Sequence, residues 1–235
     1  MRPSKLMTRR SAVAQQFLLV LLLLVVLMTH PAQSKTIKSI KPREPDEETK
    51  AKLAMSALAE ALGEGDVKKI KQAISHGADI NAKGSGEQTP LLNSVLRNNA
   101  KLVKILLELG ADVTIPEKDG YTVMHAAGFQ GRVEALKILA KHKDKTTGEK
   151  ISLLDKHKDG FYPMHRACWG THPKHAETVQ LFLELGVPYD LAADNGKTCM
   201  DMTPNEETKI VLKRAIKQQR QQANAENNSG PKDDL

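Results

Sequence analysis

The sequence predicts an all-α solenoid of stacked helix–turn–helix units, and three observations predict it. The stretch Asp119-Gly120-Tyr121-Thr122-Val123-Met124-His125-Ala126-Ala127-Gly128 is written again, with changes, as Asp159-Gly160-Phe161-Tyr162-Pro163-Met164-His165-Arg166-Ala167-Cys168. Thr89-Pro90-Leu91-Leu92 stands 33 residues before Thr122. Gly77-Ala78-Asp79 returns at that same interval as Gly110-Ala111-Asp112. A fixed period of this length marks units that bury their apolar faces against one another. Aromatics make up only 3% of the chain, so the core must be Leu, Ile, Val, Ala and Met.

A 33-residue period with a Thr-Pro-Leu-His-like turn opening each unit resembles the ankyrin repeat, and the resemblance runs from about Leu53 to Ile216. It implies a binding protein rather than an enzyme, with partners on the turn tips and on the exposed side of each first helix. Carried onto this chain, the tips are Gln88, Tyr121, Phe161 and Lys197, and the helix positions are Leu96, Arg97, Phe129, Gln130 and Trp169. Large apolar side chains at such positions are not explained by burial, and aromatics dominate interface energetics. Tyr121, Phe129, Phe161 and Trp169 are therefore the expected anchors, with Arg97, Gln130 and Lys197 as polar selectors. The alternative is that Phe129 and Trp169 tuck under loops as local core.

Residues 1–34 read as a secretory signal peptide. A basic segment ends at Arg9-Arg10, an apolar run covers Phe17 to Met28, and Ala32-Gln33-Ser34 offers a small-residue cleavage site before Lys35. The competing reading is an uncleaved membrane anchor, but twelve apolar residues span only about 18 Å of a hydrocarbon core about 30 Å thick. Residues 35–50 are charged, hold two prolines and read as a disordered linker, with order beginning near Ala51.

Unit 1, residues 53–85, reads as a capping unit without the opening turn, with helices over Leu58 to Leu62 and Val67 to Ser75. Unit 2, residues 86–118, is the most regular: Thr89 caps its first helix, Pro90 takes the first helical position, and Leu91, Leu92, Val95, Leu102, Val103, Leu106 and Leu107 point inward. Unit 3, residues 119–158, carries an insertion over Lys143 to Glu149, and unit 4, residues 159–194, another over Thr171 to His175. Residues 195–217 read as a C-terminal cap closed by a helix with Ile210, Val211 and Ile216 inward, and residues 218–235 as a disordered polar tail.

The net charge of +7 falls to +3 without the first 34 residues, and the remaining charges are interspersed, so no nucleic-acid partner is expected. The expected partner is another protein, met by a monomer, with a membrane involved only if the signal peptide stays uncleaved. No nucleophile–base pair or phosphate-binding loop stands in a rigid setting, so neither catalysis nor a cofactor is expected. His125 and His165 sit where the family's His ties the turn to neighbouring backbone. His165, Cys168, His172 and His175 nevertheless have ligand types and spacings that zinc accepts, which makes a zinc-binding loop the competing assignment. Cys168 and Cys199 are expected to be free buried thiols. Their aligned positions are offset by about 7.5 Å along helices about 8–10 Å apart, beyond a disulfide's reach.

The chain ends Lys232-Asp233-Asp234-Leu235, resembling a KDEL-type retrieval signal, with a glycosylation sequon at Asn227. Together with the front segment, this predicts residence in the endoplasmic reticulum lumen, or secretion if the tail goes unread.

Overall fold

The computed structural model describes residues 44–143 and 148–228. The signal segment, the linker up to residue 43, the centre of the unit 3 insertion and the Lys232–Leu235 tail lie outside the described residues. Ten α-helices stack in antiparallel pairs, and no strand occurs among the described residues; isolated bridges join Lys143 to Lys150 and Ala192 to Thr198. No described helix is long and apolar enough to cross a membrane.

The first pair is α1 (Glu47–Glu64) and α2 (Val67–Ser75). Helix α1 starts earlier than the composition suggests, because Asp46 caps it by accepting the Thr49 N–H at 2.8 Å and Glu47 and Glu48 favour its positive end. Gly65, at φ 69°, stops it in the left-handed region. Only Ala54, Leu58 and Ala61 of α1 are buried, one stripe of the helix, as a terminal unit requires.

Unit 2 supplies α3 (Pro90–Leu96) and α4 (Ala100–Glu108). Thr89 Oγ1 accepts the Leu92 N–H at 3.2 Å, and Leu91, Leu92, Val95, Leu102, Val103, Leu106 and Leu107 are all buried. Unit 3 supplies α5 (Val123–Phe129) and α6 (Val133–Lys141), unit 4 α7 (Pro163–Cys168) and α8 (Pro173–Glu184), and unit 5 α9 (Cys199–Met202) and α10 (Glu206–Asn228). Backbone bonds run from tip to tip: Lys118 N–H to Gly86 O at 3.2 Å and Asp194 N–H to Gly160 O at 3.1 Å.

The family histidines behave differently from each other. His165 Nδ1 accepts the Tyr162 N–H at 3.3 Å, so its proton sits on Nε2, which donates to Leu191 O in the next unit at 3.0 Å. His125 Nδ1 likewise accepts from Thr122, yet among the described residues its buried Nε2 makes no hydrogen bond of good geometry, only a weak approach to the Phe161 backbone. Burial is the main cause that pushes the His125 pKa down to about 4, reinforced by Arg166 and His157 and opposed by Asp155. The folded state therefore holds this ring neutral, while the unfolded chain takes up a proton below its ordinary value of 6.5. Stability is full above pH 6.5 and falls toward pH 4, by roughly 2–3 kcal/mol. Urea midpoints measured across this window should drop steadily, and His125→Gln should flatten the dependence.

The cysteines overturn the expectation of free thiols. Cys168 and Cys199 form a disulfide with a Cα–Cα distance of 5.5 Å. The reason is the shear between neighbouring first helices, which an alignment in common axial register ignores. Val123, Pro163 and Cys199 open α5, α7 and α9, while Gly128 and Cys168 lie five residues after the first two of these. At one junction a Cβ on Gly128 would collide with the Pro163 carbonyl oxygen, and at the next the equivalent positions are bonded through sulfur. The end of each of these helices thus abuts the start of the next.

The closing helix also departs from expectation. Thr208 and Leu212, one turn apart, are buried, and Val211 and Ile216 are half-buried as expected, whereas Ile210, expected inward, is 56% exposed. Asn205 sets this phase: its Oδ1 accepts the Glu207 N–H at 2.9 Å, and its amide donates to Gly170 O and His172 O, each at 3.3 Å. From there α10 runs unbroken to Asn228, past residue 218 where the composition reads as a disordered tail. Glutamine is a good helix former, and a docked first half supplies the nucleus.

Candidate partner-binding cleft

The first helices α3, α5 and α7 present their exposed sides in a row, with the tips of units 2 and 3 above them. A cleft of about 280 Å³ opens between them, lined by Gln88, Leu92, Leu96, Glu117, Asp119, Tyr121, His125, Ala126, Phe129, Gln130, Arg166 and Trp169. Six of the positions to which the family resemblance assigned partner contact, Gln88, Leu96, Tyr121, Phe129, Gln130 and Trp169, are brought together here. Phe129 is 55% exposed although it is large and apolar. Phe161 is not part of the lining but meets Trp169 edge-on, with ring centroids 5.0 Å apart. Arg97 and Lys197 stand outside the cleft. Arg97 Nε donates to Asn93 Oδ1 at 3.0 Å, and Lys197 is exposed on the tip of unit 5.

The cleft's base is fixed by Arg166, which sequence reasoning did not single out. Its side chain is almost fully buried, and its guanidinium lies over the rings of Tyr121 and Trp169, each at 4.7 Å, and of Phe161 at 5.3 Å. A buried cation needs an anion, and Asp159 provides it through an ion pair with Arg166 Nη2. Burial alone would raise the Asp159 pKa, but Arg166 and His157 outweigh it and hold the carboxyl well below the usual carboxylate range. His157 stacks on Tyr121 with centroids 4.1 Å apart, and its Nε2 donates to Asp119 O at 2.8 Å. Tyr121, Phe161 and Trp169 are thus partly structural, each attracted by the cation that they enclose. The available signal was an arginine between Met164 and Ala167, apolar stack positions, with aromatics at both adjoining tips.

The unit 4 insertion folds against the stack and holds no metal site. His172 Nδ1 accepts the Lys174 N–H at 3.3 Å, and His175 Nε2 reaches Phe129 O at 3.1 Å, its ring filling the space that a Cβ on Gly170 would need. Cys168 Sγ is bound to Cys199 and His165 is committed to Leu191 O. Among the described residues no three His, Cys, Asp or Glu side chains converge as metal ligands, so the zinc-binding assignment falls. Asn227 lies in the last turn of α10; the serine of its sequon is outside the described residues.

Comparison with known proteins agrees with the geometry. A family model of ankyrin repeats, three copies, matches residues 55–151. The Notch-regulated ankyrin repeat-containing protein of Homo sapiens is 30% identical over 94 residues, which is 38% of this chain and 82% of that protein. Notch-regulated ankyrin repeat-containing protein B of Danio rerio is 32% identical over 84 residues, 34% of this chain and 76% of that protein. Protein lin-12 of Caenorhabditis elegans is similar over a longer stretch, 29% identical across 168 residues, or 71% of this chain but 11% of its own length. Repeat period, stacked helix pairs and these similarities agree: the chain belongs to the ankyrin-repeat family.

Proposed function

We infer that the protein is a non-catalytic binding module of the secretory lumen that captures another protein, as a monomer, on the cleft formed by α3, α5 and α7. The observation that carries this reading is Phe129, more than half exposed at the edge of an apolar cleft whose base is already rigid. Ankyrin repeats are protein–protein interaction modules, but the fold is shared by many clients and does not name one. Phe129→Ala removes contact area without opening the core. Capture of the partner should weaken by tenfold or more, with the melting temperature shifted by less than about 2 °C. Unchanged capture would sink the assignment of the cleft.

The lumenal part of the reading rests on the front segment, the Lys232–Leu235 tail and the buried Cys168–Cys199 bridge, since such bonds form and persist in oxidising compartments. In a secretory host, the intact chain should stay in the endoplasmic reticulum and a chain lacking Lys232–Leu235 should reach the medium. Secretion of both forms would make the protein an extracellular binder, and retention of both in the cytosol would remove the lumenal reading.

A further inference from the structure

Resting on that reading, we propose that the cleft takes the side chain of a lysine or arginine from an extended segment of the partner. The floor is apolar and aromatic, with Leu96, Phe129 and Trp169 among its walls, while the mouth at the unit 3 tip carries Glu117 and Asp119. Glu117 Oε1 accepts the Asp119 N–H at 3.0 Å, which holds the two residues together at that end. At neighbouring tips the carboxylates are already neutralised, Glu87 by Lys83 at 3.2 Å and Asp194 by Lys156 at 2.7 Å. Among the described residues, no Lys or Arg pairs with Glu117 or Asp119 in this way. Arg166, the one cation in the lining, is buried and matched by Asp159, so the unmatched charges of the lining are those of Glu117 and Asp119; the exposed Lys118 between them and Arg132, whose Nη2 donates to Leu96 O at 2.8 Å, stand outside the lining.

An apolar trough ending in two carboxylates matches a long side chain with a methylene stem and a cationic head. The stem covers the apolar walls while the head stays at the mouth, close to both carboxylates. A leucine would fill the trough but leave the carboxylates unmatched, and a glutamate would be repelled.

Trp169 is the only tryptophan in the chain and lines the cleft, so its emission reports occupancy directly. The probe is an acetylated, amidated heptapeptide, Gly-Ser-Leu-Arg-Leu-Ser-Gly, compared with versions carrying norleucine or glutamate at the central position. The arginine peptide should shift the emission saturably and bind about tenfold more tightly than the norleucine peptide, with the glutamate peptide weakest. Glu117→Gln combined with Asp119→Asn should erase that preference while leaving the melting temperature in place, and added salt should weaken only the arginine peptide. Equal binding of all three peptides, no response to any, or a preference that survives the double substitution would overturn the proposal. Partner capture that still depends on Phe129 in such a case would leave the cleft as the docking site and remove only its basic occupant.

Discussion

Removing the bridge between Cys168 and Cys199 is expected to cost about 3–4 kcal/mol of stability. The two cysteines are separated by 31 residues, and closing a loop of that length in the unfolded chain accounts for a loss of this size in the chain-entropy treatment. The bond also joins α7 to α9, and α9 is only four residues long, too short to hold its place by its own hydrogen bonds. Its loss should therefore be felt at the C-terminal end of the stack first. Cys168→Ala with Cys199→Ala avoids leaving a buried hydroxyl, since both positions are fully buried. Urea unfolding should show the lower midpoint in this variant and in the reduced wild type alike, with hydrogen exchange faster in α9 and α10 than in α3 and α4. Midpoints that coincide with the oxidised protein would mean that the bridge constrains nothing that packing has not already fixed.

Gly128→Ala should lower stability by about 3 kcal/mol, a fall in melting temperature of roughly 6–12 °C. The direction is opposite to intrinsic propensity, which favours alanine inside a helix by about 1 kcal/mol. Packing decides the sign. The added Cβ would meet the Pro163 carbonyl oxygen and carbon, backbone atoms of α7 that cannot rotate away. The only relief is to part units 3 and 4, which also loosens Arg166 from the Tyr121 face and the cleft with it. Differential scanning calorimetry on the two proteins distinguishes the cases, and a melting temperature equal to or above that of the wild type would mean that the stack is more elastic than its contacts suggest.

Most of the stack was legible in the sequence because it is written in local chemistry. Thr89 and Pro90 announce a helix start, Gly77 and Gly110 announce stops, and the buried leucines of α3 and α4 keep helical spacing. The clustering of Tyr121, Phe129 and Trp169 was legible for the same reason, since equivalent positions in stacked units are neighbours in space. What failed were readings that depend on how far one unit slides or turns against the next. The Cys168–Cys199 pairing needed the shear, and the exposure of Ile210 needed the phase that Asn205 imposes on α10. Arg166 was passed over because its role is a contact among Tyr121, Phe161, Trp169 and Asp159, contributed by two tips and one helix end, and no local pattern shows it.

The measurement that tests the binding reading most directly is site-specific photo-crosslinking in the secretory lumen. A photoreactive phenylalanine analogue is placed at Phe129 in one protein and at Leu154 in another. Both positions are exposed and apolar, 55% and 49%, but only Phe129 lines the cleft. The account predicts a discrete partner adduct from position 129, suppressed by Glu117→Gln with Asp119→Asn, and none from position 154. Adducts from position 154 with none from position 129 would contradict it.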